Sequence, residues 1–284
     1  MTPVRTRGIS FAGVRVTVES TGEVGDALVD LLFRDMSDLE PERPACQHFV
    51  VRDLGAGLGV QVSSDGARFH EGADIGDAAL KLQEAVTMAL AAKCTSGLVL
   101  HAAAAARSGR ALILPGRSGS GKTTLSAYLL ARGFTYLSDE MVFLESGTLL
   151  VEGLPRPLNV KAHGLHLVAN PAVASAAWAS LSGPAATLMQ LPVDMAGAAG
   201  SAASQTRPAL AALVFPRFQP DAPATCIPLT PAQAGLRLMS ALLNARNLEG
   251  HGFPAVTALA REVPAYELQF GDVREAVPLV MALP

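Results

Sequence analysis

Several features of membrane, secreted and nucleic-acid-binding proteins are missing from this sequence of 284 residues. No stretch of about 18 residues is free of charged residues, polar residues and proline, so no transmembrane helix is predicted. The basic residues near the N-terminus are not followed by an apolar segment, so no secretory signal is predicted. The net charge is −3, whereas a nucleic-acid-binding protein needs a basic face. We therefore expect neither a membrane nor a nucleic acid as partner.

Cysteine and lysine are also scarce. Cys46, Cys94 and Cys226 lie far apart and form no CxxC pattern, so neither a disulfide framework nor a zinc site is predicted. This usage fits a reducing compartment, and we expect a cytoplasmic protein. Because there are so few lysines, a lysine within a motif is of particular interest. The lysines are Lys81, Lys93, Lys122 and Lys161.

Half of the residues are hydrophobic and 17% are charged, which suffices for one large or two ordinary domains. Residues 1–95 are predicted to form a small α+β domain, and residues 96–284 a second, larger α/β domain. In the first part, alternating or helical spacing of apolar residues predicts short strands and two helices. The strands are expected at 14–18, 48–51, 58–62 and 67–70, and the helices at 27–33 and 78–92.

The second part begins with two apolar segments, 98–106 and 111–115, that are predicted to be strands joined by a tight turn at Ser108-Gly109. A helix over 121–131 follows and ends at Gly133. Residues 134–144 are predicted to form a strand that is interrupted by an acidic pair. Residues 164–207 have too weak a pattern to assign. Further elements are expected at 210–216 (strand), 231–243 (helix), 253–261 (helix), 265–270 (strand) and 272–282 (helix).

Residues 116–123 match the phosphate-binding pattern GxxxxGK[ST] between a predicted strand and a predicted helix. Glycines let successive backbone N–H groups point at phosphate oxygens, Lys122 can reach the β- and γ-phosphates, and the Thr123 hydroxyl can bind Mg²⁺. The N-terminus of the helix adds a favourable dipole. A glycine-rich turn without a ligand would not explain Lys122. The predicted nucleotide-binding residues are Gly116, Arg117, Ser118, Gly119, Ser120, Gly121, Lys122, Thr123 and Thr124.

Within this motif, the side chains of Arg117 and Ser120 occupy variable positions, where solvent-facing and ligand-contacting roles both remain open. Asp139 and Glu140 follow Ser138, and an acidic residue here could hold Mg²⁺. Neighbours on an extended strand face opposite ways, so only one carboxylate faces the site unless a bulge or strand end intervenes. One carboxylate could then serve a metal while the other takes a proton from a hydroxyl. The alternative is an exposed acidic turn.

The order of these segments resembles the HPr kinase/phosphorylase family and its shorter HPr-kinase-related members. The similar segments are Leu100-His101-Ala102-Ala103, the motif at 116–123, Arg132-Gly133-Phe134 and Leu137-Ser138-Asp139-Glu140, with weaker ones at 155–161, 214–218 and 252–255. The resemblance covers roughly residues 98–282. It implies the P-loop kinase fold that HPr kinases share with phosphoenolpyruvate carboxykinases, with a mixed sheet and a hairpin before the P-loop. The small α+β domain predicted from the pattern of residues 1–95 would precede this fold.

The same resemblance implies roles for individual residues. It implies Asp139 as the base toward a serine hydroxyl, Glu140 as a Mg²⁺ ligand together with Thr123, and His101 beside the reacting phosphate. His101 could instead be an ordinary core histidine. Lys161 and Arg156 could offset charge on a γ-phosphate or substrate, or be surface cations.

This sequence also departs from the family. It has Asp139-Glu140 where members often have two aspartates, and Thr123 where HPr kinases usually have serine. We find no copy of the C-terminal signature associated with the phosphorylase reaction, which weakens the expectation of a reverse activity and of HPr as the substrate.

Together these observations predict an ATP- and Mg²⁺-dependent kinase that phosphorylates a hydroxyl, expected to be a serine, on a small protein or precursor peptide. Assembly into a homo-oligomer is implied because HPr kinases are oligomeric. Two alternatives remain open. One is a small-molecule kinase or carboxykinase-like enzyme on the same scaffold, and the other is a regulatory nucleotide-binding module without catalysis.

Overall fold

The computed structural model describes residues 3–36, 38–55, 57–168, 179–182, 187–190 and 207–283. Over these residues the chain has a mixed α/β fold, with three sheets and seven α-helices, so the predicted α/β class is confirmed. Most of the segment 164–207, whose pattern is too weak to assign, lies outside the described residues.

The N-terminal part forms a five-stranded sheet whose strands lie in chain order. The strands Val14–Thr21 and His48–Asp53 run parallel to each other, and the other neighbouring strands run antiparallel. The first strand was not predicted, because most of its residues are exposed or half-buried and alternate weakly. The elements are β1 (Val4–Phe11), β2 (Val14–Thr21), α1 (Gly22–Phe33), β3 (His48–Asp53), β4 (Val60–Ser64), β5 (Ala67–Gly72) and α2 (Ile75–Ala91).

A second, eight-stranded sheet forms the centre of the molecule. Its strands are β6 (Gly97–Arg107), β7 (Arg110–Pro115), β8 (Thr135–Ser138), β9 (Met141–Glu145), β10 (Val151–Gly153), β14 (Ala209–Phe218), β15 (Thr225–Pro228) and β16 (Ala265–Phe270). They lie in the order β10-β9-β6-β7-β14-β16-β15, and β8 also pairs with β6.

The remaining elements surround this sheet. A small third sheet consists of three strands, in the order Leu158–Val160, Thr187–Gln190 and Ala179–Ser182. The further strands and helices are β11 (Leu158–Val160), β12 (Ala179–Ser182), β13 (Thr187–Gln190), α3 (Lys122–Leu130), α4 (Ala162–Val168), α5 (Pro231–Ala241), α6 (Phe253–Glu262) and α7 (Val273–Met281).

The predicted hairpin is present: β6 and β7 pair antiparallel from Ala102↔Pro115 to Arg107↔Arg110. Ser108 and Gly109 both have positive φ, 53° and 77°, as two-residue turns that match the strand twist require. β7 runs parallel to β14, and β14 runs parallel to β16. The carboxyl ends of these three strands therefore lie at one edge of the sheet.

The alanine run in β6 is a strand, as predicted, and its side chains alternate between two layers. Ala102 and Ala104 face the core shared with α5 and α6, whereas Ala103 and Ala105 face the core shared with α3 and α7. All four are completely buried. Because alanine is small, helices can pack closely on both faces of the strand.

The two sheets share a hydrophobic core. The core under β1 and β2 continues into Val99 and Phe143 of the central sheet, and the rings of Phe11 and Phe143 meet edge to face at 6.3 Å. The amide of Ala12 donates to Oε1 of Glu152 at 3.0 Å. The domain boundary near residue 95 stays a prediction. None of the described helices is both long and apolar enough to cross a membrane.

Candidate functional site

Residues 116–121 form a tight loop between β7 and α3. Gly119 and Gly121 have φ of 87° and 97°, a conformation that residues with a Cβ rarely adopt. A Cβ on Gly121 would lie 2.6 Å from Cζ of Phe270, and a Cβ on Gly116 would lie 2.6 Å from Oγ of Ser120. Backbone conformation thus favours glycine at positions 119 and 121, and packing against Phe270 adds to this at position 121. At position 116 the Ser120 side chain would have to rotate to admit a Cβ.

Lys122 is buried although it carries the charge of the motif. Its ammonium donates to the carbonyl oxygens of Gly116 and Arg117, the second at 3.2 Å. Burial lowers the pKa of Lys122, and the charges of Glu140 and Asp139 oppose that shift. The loop therefore curls around a cation that is held at its centre.

A cavity of about 670 Å³ opens beside the loop. Apolar surface in the cavity comes from Phe218 and Phe270, whose aromatic rings meet edge to face at 6.0 Å, and the charged residues Asp272 and Arg274 line the cavity as well. Thr124 lines the same cavity. On its polar side the cavity is lined by His101, Ser118, Lys122, Thr123, Asp139, Glu140, Asn159 and Lys161.

Asp139 is 2% exposed and is surrounded by donors. Its Oδ2 accepts a hydrogen bond from the Thr123 hydroxyl at 3.3 Å and another from the backbone N–H of Asn159 at 3.1 Å. Its Oδ1 accepts from the Tyr136 hydroxyl at 3.3 Å and from Nε of Arg156 at 3.4 Å. The interpretation of this pair as an exposed acidic turn is therefore wrong for Asp139.

Glu140 is more accessible, with a side chain that is 32% exposed. Its Oε2 accepts from Nη2 of Arg156 at 2.9 Å, and its Oε1 lies 3.5 Å from Nε2 of His101. Both acidic residues fall in a bend between β8 and β9. The predicted strand over 134–144 is thus two strands, and the strand end between them lets both carboxylates reach the same arginine.

Arg156 is a buried residue with both carboxylates as partners, not a surface cation. Burial alone would lower the pKa of its guanidinium, but the charges of Asp139 and Glu140 raise it above its ordinary value. A positive charge fixed between two carboxylates attracts both of them and holds them in place. Arg156 therefore organises the acidic pair.

His101 lies at the same edge of the sheet, with 30% of its side chain exposed to the cavity, so it is not an ordinary core histidine. Burial lowers its pKa, the carboxylate of Glu140 opposes this shift, and the charge of Lys122 adds to it. The imidazole is thus neutral near pH 7 and can accept or donate one hydrogen bond at each nitrogen, according to tautomer.

Lys161 follows β11 and extends toward the loop, where its ammonium donates to Oγ of Ser118 at 2.6 Å. Lys161 is exposed, so it can move toward a bound ligand. Arg117 and Ser120 do not line this cavity. Both contribute to a second cavity on the other side of the loop.

Two of the polar residues around Asp139 were not identified from the sequence, and neither were the aromatic residues Phe218 and Phe270. The hydroxyl of Tyr136 donates to Asp139 and, at 2.9 Å, to the carbonyl of Arg156; burial and the charge of Asp139 raise its pKa well above the ordinary value. Asn159 supports Asp139 through its amide N–H, while its side-chain Oδ1 is buried without a hydrogen-bond partner. A polar side chain between apolar residues of a short strand was the only available signal.

A site with three or more His, Cys, Asp or Glu ligands for a metal is not found among the described residues. The acidic pair is therefore suited only to a metal that takes other oxygens as well. No family model matches the sequence, and no curated protein is similar enough to count as a match.

Proposed function

We propose that the protein is an ATP- and Mg²⁺-dependent kinase that transfers the γ-phosphate to a serine hydroxyl of a peptide or small protein. The observation that carries this proposal is the convergence, on one cavity, of the glycine loop with Lys122, the Thr123 hydroxyl and two carboxylates linked by Arg156. The hairpin before the loop and the mixed sheet support the related proposal of an HPr kinase-like fold, with an N-terminal domain of residues 1–95 and a catalytic domain of residues 96–284.

The loop and its helix supply what a triphosphate needs. Backbone N–H groups, the dipole of α3 and the Lys122 ammonium provide positive potential with no rearrangement of the main chain. A volume of about 670 Å³ is in the range of small-molecule sites. The apolar wall of Phe218 and Phe270 suits a nucleotide base, because aromatic rings pack well on flat heterocycles.

The residues present also fit Mg²⁺, which prefers oxygen ligands and binds through one or two carboxylates together with phosphates and water. Thr123 Oγ1 and Asp139 Oδ2 lie 3.3 Å apart at the cavity wall. Asn159, whose backbone N–H donates to Asp139, lines the same cavity and would help to hold that carboxylate toward the metal. When bound, the metal would neutralise charge on the phosphates.

The contacts favour a division of roles opposite to the one that the family resemblance implies. Asp139 is enclosed by donors and touches Thr123, which places it on the metal side. Glu140 is more accessible and lies beside the neutral His101. We therefore assign the proton of the acceptor hydroxyl to the Glu140 carboxylate, with His101 orienting that carboxylate.

The two cations have different positions and hence different proposed roles. Arg156 is buried and engaged with Asp139 and Glu140, so it positions the carboxylates. Lys161 is exposed and already contacts Ser118 of the loop, so its ammonium can offset charge on the transferred phosphoryl group. A cytoplasmic location is part of the proposal, since all three cysteines are free thiols. Assembly into a homo-oligomer is proposed by family resemblance alone.

Transfer of label from γ-³²P-ATP tests the function. The purified protein is incubated with Mg²⁺ and either serine-containing peptides or small hydroxyl compounds. We expect label on peptide, and Lys122→Ala should lower the rate by about 10²-fold or more because it removes a main charge contact to the phosphates. Lys93→Ala, at an exposed lysine on another part of the surface, is the matched control.

The other outcomes distinguish the alternatives. Label only on small compounds would replace the peptide kinase by a small-molecule kinase. ATP binding without transfer to either class would indicate a regulatory module. Undiminished turnover in Lys122→Ala would contradict the phosphate-site assignment itself.

A further inference from the structure

A second cavity, of about 550 Å³, lies on the other side of the glycine loop. Gly116, Arg117 and Ser120 of the loop line this cavity, whereas Ser118, Gly119 and Gly121 line the first one. His101 and Phe218 line both. The loop thus separates two cavities that meet at His101, the residue beside the Glu140 carboxylate.

The second cavity carries an excess of positive charge. Arg237 on α5 is paired with Glu267 on β16 and lies over the ring of Phe215 at 5.6 Å. Arg117 in the loop and Arg217 at the end of β14 are exposed, and neither forms an ion pair with any residue that the structure describes. Among the residues that the structure describes, these two positive charges at the cavity have no acidic partner.

Apolar surface accompanies these charges. Leu236 on α5 is 73% exposed, and Phe218 at the end of β14 is 42% exposed; both line the second cavity. A single exposed apolar residue is ordinary. Here two exposed apolar residues on different elements lie beside two unpaired arginines and next to the proposed transfer site. Such a surface suits a partner that has both apolar and negatively charged groups.

We propose that the second cavity is the acceptor site of the kinase and that the acceptor is an acidic peptide; this inference rests on the proposed function. The serine hydroxyl enters where the cavities meet at His101, and carboxylates near the serine bind Arg117 and Arg217. Side chains of the peptide cover Leu236 and the side of Phe218 that lines the second cavity. Because the favourable contacts lie on three separate elements, an extended peptide can engage them together.

In the transfer step, the serine oxygen forms a bond to the γ-phosphorus as the bond from that phosphorus to the β,γ-bridging oxygen breaks. The hydroxyl proton passes to the Glu140 carboxylate, and the products are phosphoserine and ADP. A lysine-rich peptide would place like charges against Arg117 and Arg217, which disfavours its binding.

The test uses three fluorescein-labelled heptapeptides, each with a central serine flanked by aspartate, alanine or lysine residues. Fluorescence anisotropy measures their binding to the full-length protein with ATP analogue and Mg²⁺ present. We expect the aspartate peptide to bind best, and Arg217→Glu to weaken it roughly tenfold because a like charge replaces an opposite one. The same variant should gain affinity for the lysine peptide. Arg132→Glu, at an exposed arginine beyond the far end of α3, should change neither.

Two results would overturn the inference. One is equal binding of the three peptides, and the other is an aspartate preference that Arg217→Glu leaves intact. Phosphorylation of the same three peptides is measured separately with γ-³²P-ATP, and equal phosphorylation of all three would remove the acidic acceptor but leave the kinase. Charge-selective binding without any phosphate transfer would leave the peptide site and contradict the proposed reaction.

Discussion

The hydroxyl of Thr123 donates a hydrogen bond to Oδ2 of Asp139 at 3.3 Å, although 16 residues separate the two in sequence. The pairing of both β7 and β8 with β6 explains this proximity. Both strands run antiparallel to β6, with Pro115 opposite Ala102 and Ser138 opposite Ala104. Their carboxyl ends therefore lie at the same edge of the sheet, where the glycine loop leaves one strand and the acidic bend leaves the other.

Two isosteric substitutions separate the proposed roles of the acidic residues. Asp139→Asn and Glu140→Gln should each lower phosphate transfer by about 10²-fold or more, the usual scale for a general base or an equivalent charged group. Asp139→Asn should also raise the Mg²⁺ concentration needed for half-maximal rate, because a metal ligand loses its charge. Glu140→Gln should leave that concentration unchanged. Initial rates measured over a Mg²⁺ titration at saturating ATP provide the test.

ATP affinity in the absence of Mg²⁺, measured by calorimetry, serves as the control for both variants and should remain close to that of the unmodified protein. A raised Mg²⁺ requirement in Glu140→Gln together with a normal one in Asp139→Asn would restore the roles that the family resemblance implies. Full transfer in both variants would show that the acidic pair is structural.

Replacing Arg156 should destabilise the fold. Its side chain is 5% exposed and bridges Asp139 and Glu140, so Arg156→Met leaves a buried carboxylate without its cation. Loss of one partner of a buried pair typically lowers the free energy of unfolding by about 3 to 5 kcal/mol. Arg274→Met is the matched control, because Arg274 is exposed and its ion pair contributes little. Urea unfolding measures both; equal stability of the two variants would contradict the structural role of Arg156.

Features that depend on neighbouring residues were predictable from the sequence. The turn at Ser108-Gly109, the strands on either side of it and the helix after the glycine loop follow from local residue preferences and apolar spacing. The interruption by Asp139 and Glu140 was also visible, since two adjacent acidic residues break an apolar strand. These signals were sufficient to place the loop and the acidic pair in the same part of the chain.

Contacts between distant segments were not predictable in this way. Nothing in a Pro-Arg-Pro sequence distinguishes a surface arginine from Arg156, whose burial depends on how the segment after β10 packs against β8. The contribution of Asn159 likewise arises because β11 passes next to Asp139. The separation of Arg117 and Ser120 from the first cavity depends on the curl of the loop, which the motif pattern does not specify.

Two glycines of the same loop should respond differently to alanine. Both Gly119 and Gly121 have positive φ, so either substitution introduces backbone strain of about 1 to 2 kcal/mol. A Cβ at Gly119 meets no atom within 4 Å among the described residues, whereas one at Gly121 would lie 2.6 Å from the Phe270 ring. Gly121→Ala should therefore lower both stability and ATP affinity more than Gly119→Ala, as measured by thermal unfolding and calorimetry. Equal effects would mean that Phe270 moves aside easily.

The state of His101 predicts how stability depends on pH. Burial lowers the pKa of this imidazole below its ordinary value of 6.5, with Lys122 adding to the shift and Glu140 opposing it. The unfolded chain then binds a proton more readily than the folded one, so stability present above about pH 6.5 is lost as the pH falls below it.

His101→Gln removes this titration and keeps a polar side chain. Between about pH 7.5 and about pH 5.5, on either side of the ordinary histidine pKa, the unmodified protein should lose more of its free energy of unfolding than the variant does. Urea unfolding at the two pH values measures the difference. All other ionisable groups are the same in the two proteins, so their contributions cancel in the comparison. The carboxyls of Asp38 and Asp77, whose pKa values are lowered by hydrogen bonds from Arg15 and Lys81, titrate below this range. A larger loss in His101→Gln would mean that attraction to Glu140 outweighs burial, and the imidazole beside the transfer site would then be charged.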